Sequence, residues 1–441
     1  MKICFIPIDN RPVCYNLALD IVSLDKSIEF FIPPREFLGG LKKNADVNAI
    51  FDWLKNVPKC DAIILSLDTI AYGGLIPSRR SCESFEEIKS RIESLKQILA
   101  EKNAKIYAFS SIMRVSNNNY NEEEKEYWKD YGKKIFEYSF SGGKKDNNIP
   151  QEILDDYLAT RKRNFEINKK YLDWQKEGIF DTLIFSKDDC AEFGFNVEEA
   201  KELEKLGGKT KTGADEIPLS LLSRAIEKNI KVFVDYTEPD CKDLISNYED
   251  VSIEKSVLGQ LELGGFEITS SEKDADVILI VNNFREKQGE LVMGWETGIR
   301  GEYSFIKPSK PFCIADVRYA NGADNKFVEQ ILPHISSENF FGYSAWNTSA
   351  NSLGSLLAGL KIRFNANNYN KNAFKRLQTI RFLDDWAYQA NIRGQIEYPS
   401  KIEDLMKPYE EKVFNALDYK SSKQIEYIYP WDRKFEIEIQ I

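Results

Sequence analysis

Short apolar runs alternate with amphipathic segments along most of the 441 residues of the chain. The apolar runs are rich in β-branched and aromatic residues, which favours strands. They span residues 2–8, 28–33, 62–67, 105–112, 182–186, 231–236, 276–282, 311–317 and 340–346. Most are apolar at successive positions, which is typical of strands buried on both faces of a parallel sheet. Helical patterns such as `SFEEIKSRIESLKQILAEKN` separate them, so the chain is predicted to have an α/β fold.

Two arrangements of these strands are open. The units fit a (β/α)-barrel with one extra strand, or two doubly wound, Rossmann-like sheets. We favour the barrel because the units continue past residue 340 without a linker-like stretch. We expect one α/β domain over residues 1–364, carrying a helical insertion at 113–180. A helix-and-strand extension is expected over residues 365–441.

Charge and composition exclude several classes of partner. The net charge is −10 and no long basic run is present, so binding to nucleic acid or to an anionic membrane is not expected. No stretch of about 18 apolar residues occurs, and the amino terminus turns polar too early for a signal peptide. We therefore expect a soluble cytoplasmic protein that binds a small molecule. The sequence does not predict an oligomeric state.

Cysteine and histidine usage narrows the chemistry. Seven cysteines are scattered without any C-x-x-C spacing, so they are interpreted as reduced thiols and not as a disulfide framework or a zinc site. His334 is the single histidine, which removes His-rich metal sites and makes a Ser–His or Cys–His pair an unfavoured hypothesis. Acidic, tyrosine, arginine and lysine side chains must then carry any catalysis.

Polar residues stand at the end of almost every predicted strand. They are Asp9–Asn10–Arg11, Asp68, Arg114, Asp188–Asp189, Asp235–Tyr236, Asn282–Asn283, Asp316 and Trp346–Asn347–Thr348. The carboxyl ends of parallel strands lie on one side of a sheet or barrel, where ligands bind. A single aspartate after a strand is more often a helix cap. Their recurrence predicts a ligand site, and we expect Asp9, Asp189, Asp316 and Asn347 to surround one cleft.

The adjacent aspartates Asp188 and Asp189 are the candidate catalytic residues. The next helix is predicted to have its own capping box, Asn196 with Glu199, so the pair is not needed to start it. Neighbouring carboxylates separate each other's pKa values, which suits acid–base work on a sugar. They could instead chelate a divalent cation, or one could pair with Arg114 and have no chemical role.

Other segments supply candidate binding residues. In `DTIAYGGLIPSRR`, Tyr72 could stack on a ligand and Arg79 could hold a carboxylate, a phosphate or hydroxyl groups. Neither a Walker loop nor a Rossmann fingerprint is present, so ATP and NAD are not expected, and we expect neither a cofactor nor a metal. The full predicted substrate-binding set is Asp9, Asn10, Arg11, Tyr72, Arg79, Arg114, Asp316, Asn321, Trp346 and Asn347.

Some of the other polar residues have structural interpretations. Asn321–Gly322 suits a turn, and Asp324 is expected to cap the following helix. Trp346 could provide an apolar platform for a sugar, with burial in the core as the alternative. Asp215–Glu216 lies beside a helix start, where capping is the default interpretation.

Seven motifs in one order resemble a bacterial protein family, domain of unknown function number 4127. They are `PIDNRPVCYN`, `YGGLIPSR`, the `DD` of `FSKDDCAEFG`, `GADE`, `ADVRYANGAD`, `WNTSANSLG` and `YPWDRKFE`. The resemblance runs from about residue 1 to the carboxyl terminus and implies no established activity. The aspartate pair is also similar, more weakly, to the acid pair of some N-acetylhexosaminidases, although `FSK` and `CAEFG` do not match those enzymes closely.

The sequence thus favours a carbohydrate-active, glycosidase-like hydrolase in which Asp188 and Asp189 provide the acid and the stabilising carboxylate. Adjacent residues need not have the separation that glycoside hydrolysis requires, so a partner from another strand, such as Asp9 or Asp316, or a substrate-assisted route is expected. One alternative is a divalent-metal hydrolase using Asp9, Asp188, Asp189 and Asp316. The other is a sugar- or metabolite-binding protein without catalysis.

Overall fold

A computed structural model describes residues 1–145, 148–188, 191–421 and 423–441. Its strands are β1 (Lys2–Ile6), β2 (Glu29–Phe31), β3 (Ala62–Ser66), β4 (Lys105–Ile112), β5 (Thr182–Lys187), β6 (Thr210–Thr212), β7 (Lys231–Tyr236), β8 (Glu267–Ile268), β9 (Val277–Asn282), β10 (Gly289–Glu290), β11 (Phe312–Asp316), β12 (Tyr319–Ala320), β13 (Phe340–Ser344), β14 (Glu426–Ile428) and β15 (Glu438–Gln440). Every strand predicted from an apolar run is present, with ends that shift by a few residues.

The α-helices are α1 (Asn16–Val22), α2 (Val47–Asn56), α3 (Leu67–Tyr72), α4 (Leu75–Arg80), α5 (Phe85–Glu101), α6 (Trp128–Phe140), α7 (Gln151–Lys176), α8 (Phe195–Lys205), α9 (Ile217–Ala225), α10 (Ile253–Leu263), α11 (Asn325–Ile331), α12 (Ser349–Asn365), α13 (Lys371–Arg381) and α14 (Glu403–Leu417). A π-helix, Phe382–Ile392, continues α13. None of the described helices is long and apolar enough to cross a bilayer.

The chain divides into two compact units, the first comprising Met1–Tyr15 and Ile28–Pro218. Its six strands form one parallel sheet, the first sheet, in the order β2-β1-β3-β4-β5-β6. Apolar faces of α2, α5 and α7 pack on this sheet around a core that includes Ile63, Leu95 and Tyr171. The region predicted as a helical insertion contains α6 and α7, which share a smaller cluster around Trp128 and Tyr157.

The second unit comprises Asn16–Ser27 and Leu219–Ile441. Its main sheet, the second sheet, is also parallel and has the order β13-β11-β9-β7-β8. The helices α10 and α12 pack on it through residues such as Val257 and Leu353. Two small sheets, β10-β12 and β14-β15, complete the unit.

The α/β class with parallel strands is confirmed, and the strands form two sheets instead of the favoured barrel. When the strands are numbered in chain order within each sheet, both sheets contain the order 2-1-3-4-5, to which the first sheet adds β6. This is one of the doubly wound orders, so the second of the two predicted arrangements applies. The compact units do not divide at residue 364, but compactness does not test independent folding, and that domain boundary stays a prediction.

Candidate functional site

The carboxyl ends of β1, β3, β4, β5 and β6 form what we call the first edge. In a doubly wound sheet, ligands bind at these ends, close to the point where the strand order reverses. In the first sheet that point lies between β1 and β3, because β1 has β2 on one side and β3 on the other. The residues that follow β1 and β3 include Asp9, Arg11 and Asp68, all of which are buried.

Arg11 binds two buried carboxylates at the first edge. Its Nε donates to Asp9 Oδ2 at 2.9 Å, and its Nη2 and Nη1 donate to Asp215 Oδ1 at 2.5 Å and Oδ2 at 3.1 Å. Burial raises the pKa of Asp215, and the carboxylates of Asp9 and Asp188 raise it further, while Arg11 lowers it. One guanidinium thus serves two carboxylates, which leaves a negative charge that a proton on Asp215 would remove.

Asp188 is held by a second buried arginine. Arg79 Nη2 donates to Asp188 Oδ2 at 2.5 Å, and Arg79 is only 2% exposed. The same oxygen lies 3.6 Å from Nη1 of Arg114. The pairing with Arg114 that was one of the alternatives for the aspartate pair is therefore present, but Asp188 is closer to Arg79, which was predicted to hold a group of the ligand.

Two glutamates from the segment after β4 complete the network. Glu124 Oε1 accepts from Arg114 Nε at 3.0 Å and from Arg79 Nη1 at 3.4 Å. Glu123 Oε2 accepts from Arg114 Nη2 at 2.9 Å. The three guanidiniums of this edge, Arg11, Arg79 and Arg114, are thus all engaged by carboxylates of the chain itself.

Asp68 is buried just after the end of β3, close enough to Arg79 for that charge to act on it. It lies in the first turn of α3, and its two carboxyl oxygens accept from the backbone N–H of Ser111 at 2.8 Å and from the Ser111 hydroxyl at 2.9 Å. Burial raises the pKa of Asp68 to about 7. Because Ser111 lies near the end of β4, these bonds fix the strand from which Arg114 follows.

Asp215, Glu123 and Glu124 were not among the sequence candidates. Asp215 follows a strand, as the other candidates do, but β6 is short and polar (`TKT`), so hydrophobic pattern does not predict it. Glu123 and Glu124 belong to the acidic run `NEEEKEYW`, inside the region that was predicted as a helical insertion. No local signal distinguishes these two from the exposed acids beside them.

Several residues that were predicted to bind the substrate are instead buried or hydrogen-bonded within the chain. Tyr72 is 2% exposed and Trp346 is 3% exposed, so neither offers the open ring face that stacking on a sugar requires. Tyr72 lies under the guanidinium of Arg163, 5.5 Å from the ring centre. Asn10 is partly exposed, and its carbonyl accepts from Arg35 Nε at 2.8 Å.

Of the predicted catalytic pair, Asp188 is among the described residues, and Asp189 lies outside them together with Cys190. The predicted capping box after the pair is wrong. The helix α8 begins at Phe195 with Gly194 as its N-cap, and the carboxylate of Glu199 binds Arg161 instead. Neither Asn196 nor Glu199 caps this helix, and Asp188 is bound by Arg79.

The second edge, at the carboxyl ends of β7, β9, β11 and β13, holds the remaining predicted residues. Asp316 is fully buried and accepts from Asn282 Nδ2 at 2.7 Å, from the Asp324 backbone N–H at 2.9 Å and from the Tyr343 hydroxyl at 2.9 Å. Burial, together with the carboxylate of Asp324, raises the pKa of Asp316 to about 6. Asp324 caps α11, as predicted.

Two asparagines at the second edge have left-handed backbones. Asn321 and Asn347 both have a φ of 60°, and the Asn321 N–H donates to the Asn347 carbonyl at 2.8 Å. The side chain of Asn321 donates to Glu290 Oε1 at 2.5 Å. Of the residues expected to surround one cleft, Asp9 follows a strand of the first sheet, and Asp316 and Asn347 belong to the carboxyl ends of strands in the second.

One group of side chains has the composition of a metal site. Ligand atoms of Asp9, Cys14 and Asp215 all lie within 4.8 Å of one another. Two carboxylates and a thiolate are ligands that zinc accepts. The same carboxylates already receive hydrogen bonds from Arg11, so a metal ion would have to share them with that guanidinium.

Comparison with known proteins identifies a family. A family model described as "Protein of unknown function (DUF4127)" matches residues 3–440. No curated protein and no solved structure matches the chain. The match covers nearly the whole chain and confirms the resemblance seen in the seven motifs. It adds no substrate or reaction.

Proposed function

Because the chain belongs to the DUF4127 family, whose description names no reaction, we propose its function from the geometry of the first edge. The proposed activity is hydrolysis of a small glycoside by carboxylate acid–base catalysis. The observation that supports it is a pair of acids in contrasting surroundings. Asp215 is buried with a raised pKa, while Asp188 forms an ion pair with Arg79 at 2.5 Å.

Each acid then has its own role. Asp215, protonated, donates its proton to the leaving oxygen as the bond between that oxygen and the sugar carbon breaks. The Asp215 carboxylate then takes a proton from the water that forms the new bond to this carbon. Asp188, fixed by Arg79, provides the negative charge that stabilises the positive charge developing on the sugar ring. Carboxyl groups whose surroundings separate their pKa values are the usual basis of such a division. Asp215 follows β6 and Asp188 follows β5, so the proposed pair combines carboxyl groups from two strands.

Arg11 and Arg79 prepare this arrangement before substrate arrives. Arg11 holds Asp215 through two nitrogens and therefore fixes the direction in which its proton can be given. Arg79 is itself held by Glu124, so the position of Asp188 does not depend on a flexible side chain. Fixed charges of this kind need little reorganisation during the reaction.

The test is a panel of chromogenic glycosides, assayed with the wild type and with Asp188→Asn, Asp215→Asn and Asp181→Asn. Asp181 is the matched control because it precedes β5 at the opposite end of the strand, where it accepts from the Ile106 N–H. We expect turnover that a chelator does not change, lost by about 100-fold or more in the first two variants and retained in the third.

Leaving-group dependence separates the two roles. A dinitrophenyl leaving group needs little protonation, so Asp215→Asn should recover much of its activity on dinitrophenyl glycosides while Asp188→Asn should not. Circular dichroism establishes that each variant is folded. Turnover of a phosphate ester but of no glycoside would refute the proposal.

A second candidate, a metal-dependent hydrolase, is favoured by the cluster of Asp9, Cys14 and Asp215. In that case a bound ion would supply an activated water at the same edge. Metal analysis of the purified protein together with loss of activity on chelation, reversed by zinc, would replace the first proposal with this one. Cys14→Ser should then lose the metal, whereas acid–base catalysis by Asp215 should tolerate that change.

A further inference from the structure

The ion pairs of the first edge restrict which substrate it can accept. Each of its three arginines is already bound to carboxylates of the chain. Among the described residues, the ion pairs of this edge contain five carboxylates and three guanidiniums, the acids being Asp9, Asp188, Asp215, Glu123 and Glu124. A proton on Asp215 reduces the surplus but does not remove it.

The solvent exposure of these charged side chains also disfavours an anionic substrate. The side chains of Asp188 and Glu123 are 17% and 23% exposed, whereas that of Arg79 is 2% exposed. Arg11 is buried as well, between Asp9 and Asp215. Arg114 is 13% exposed, less than either of these two carboxylates. The two most exposed side chains of the ion pairs are therefore carboxylates, and these are the groups that a ligand meets first. A carboxylate or sulfate on the substrate would be repelled, because like charges in a partly desolvated site interact strongly.

We infer that the first edge selects a glycoside carrying an ammonium group, an amino sugar, over its neutral counterpart and discriminates against uronic acids. This inference rests on the proposed function for the substrate class, and on the ion pairs for the charge preference. It reverses the role that the sequence suggested for Arg79, that of holding an acidic group of the ligand. In the structure, Arg79 positions Asp188 instead of offering itself to an anion.

Glu123 is the residue whose removal tests the preference most directly. It is the most exposed of the five carboxylates and contacts Arg114 at 2.9 Å and Arg79 at 3.6 Å. Glu123→Gln removes one negative charge from the exposed part of the edge. Glu124, which is buried and holds both arginines, remains in place.

The experiment compares sugars that differ only in charge. Chromogenic glycosides with an ammonium, a hydroxyl or a carboxylate at C6, and with an ammonium or a hydroxyl at C2, are assayed at low and high salt. We expect kcat/KM to be at least about tenfold higher for the ammonium substrate than for the carboxylate substrate. This difference should arise from KM, and it should become smaller at high salt. Glu123→Gln should narrow the difference, and Asp181→Asn should not.

Binding decides the inference independently of turnover. Glucosamine, glucose and glucuronate are titrated into Asp215→Asn protein and observed by saturation-transfer NMR. Glucosamine should bind most tightly and glucuronate least. Failure to bind any of the three, or tighter binding of glucuronate, overturns the charge preference. Hydrolysis of no glycoside, with glucosamine still preferred in binding, refutes the proposed reaction and leaves the charge preference standing.

Discussion

Arg11 and Asp215 are 204 positions apart in the chain, yet they form a two-point ion pair with N–O distances of 2.5 and 3.1 Å. The pair joins the loop after β1 to the residues after β6, which are the first and the last strands of the first sheet in chain order. Asp9 binds the same guanidinium. The candidate site therefore depends on a contact that neither segment reveals alone.

Removal of Arg11 should strongly destabilise the first unit. Arg11→Ala leaves Asp9 and Asp215 buried without a cation, and the loss of one partner of a buried ion pair costs about 3–5 kcal/mol. Urea unfolding measures the loss. Arg80→Ala is the control, because Arg80 pairs with Glu126 near the surface, and it should cost less than about 1 kcal/mol. Equal effects of the two substitutions would contradict the structural role of Arg11.

Asp68 should make stability depend on pH in an unusual direction. Its pKa is raised from 3.8 to about 7 in the folded protein, so between these values the folded state binds more protons than the unfolded state. Stability from this group is therefore present at low pH and is lost as pH rises through 7. The full effect is at most about 4 kcal/mol.

Asp68→Asn should remove that dependence. An amide can accept from the Ser111 N–H and donate to its hydroxyl, so the local hydrogen bonds survive. Urea unfolding should show the variant to be more stable than the wild type at pH 8.5 and similar at pH 4. Asp181→Asn serves as the exposed control. The same stability difference at both pH values would show that Asp68 is not buried with a raised pKa.

Tyr343 should stabilise the second unit through both its ring and its hydroxyl. The hydroxyl donates to Asp316 Oδ2 at 2.9 Å, and the ring stacks on Phe382 at 4.5 Å with an interplanar angle of 10°. Tyr343→Phe keeps the stack and should cost about 1–2 kcal/mol. It should also raise the pKa of Asp316 further, since that hydrogen bond lowers it.

Thermal unfolding and NMR titration of the Asp316 carboxyl carbon measure these two effects of Tyr343→Phe. Tyr429→Phe removes a partly exposed hydroxyl that donates to the Ser400 carbonyl, and it should have a smaller effect on stability. A change in the Asp316 titration without any change in stability would indicate that the hydroxyl is not part of a packed core.

Gly213 should be intolerant of any side chain. Its φ is +111°, and an added Cβ would lie 1.7 Å from Oε1 of Glu216. Gly207 has a φ of +98° and no atom within 4 Å of such a Cβ. Both alanine substitutions incur backbone strain of about 1–2 kcal/mol, but only Gly213→Ala adds a clash.

Gly213→Ala should therefore unfold at clearly lower urea than Gly207→Ala. Because Asp215 follows two residues later, it should also reduce turnover of any glycoside substrate, whereas Gly207→Ala should leave turnover unchanged. Equal stability of the two variants would mean that Glu216 can move away and that the turn before Asp215 is not rigid.

Much of the fold could be predicted because its signals are local. Continuous apolar runs such as `AIILSL` and `DVILIVN` predicted buried parallel strands, and these are β3 and β9. The short polar β6 could not be predicted, since its pairing with β5 comes from the neighbouring strand and not from its own residues. The preference for a barrel over two open sheets was wrong for a related reason. The local pattern of strand and helix is the same in both arrangements.

The sequence by itself determined the α/β class, the polar residues at the strand ends and the family, because these depend on composition, periodicity and short motifs. The tertiary structure decided that the strands form two sheets of the same relative order, and which charges meet at each edge. In the folded chain, Asp188 forms an ion pair with Arg79, and Asp9 and Asp215 both form ion pairs with Arg11. An ion pair is set by distance in space, and residues far apart in the chain carry no local sign of the partner they will meet.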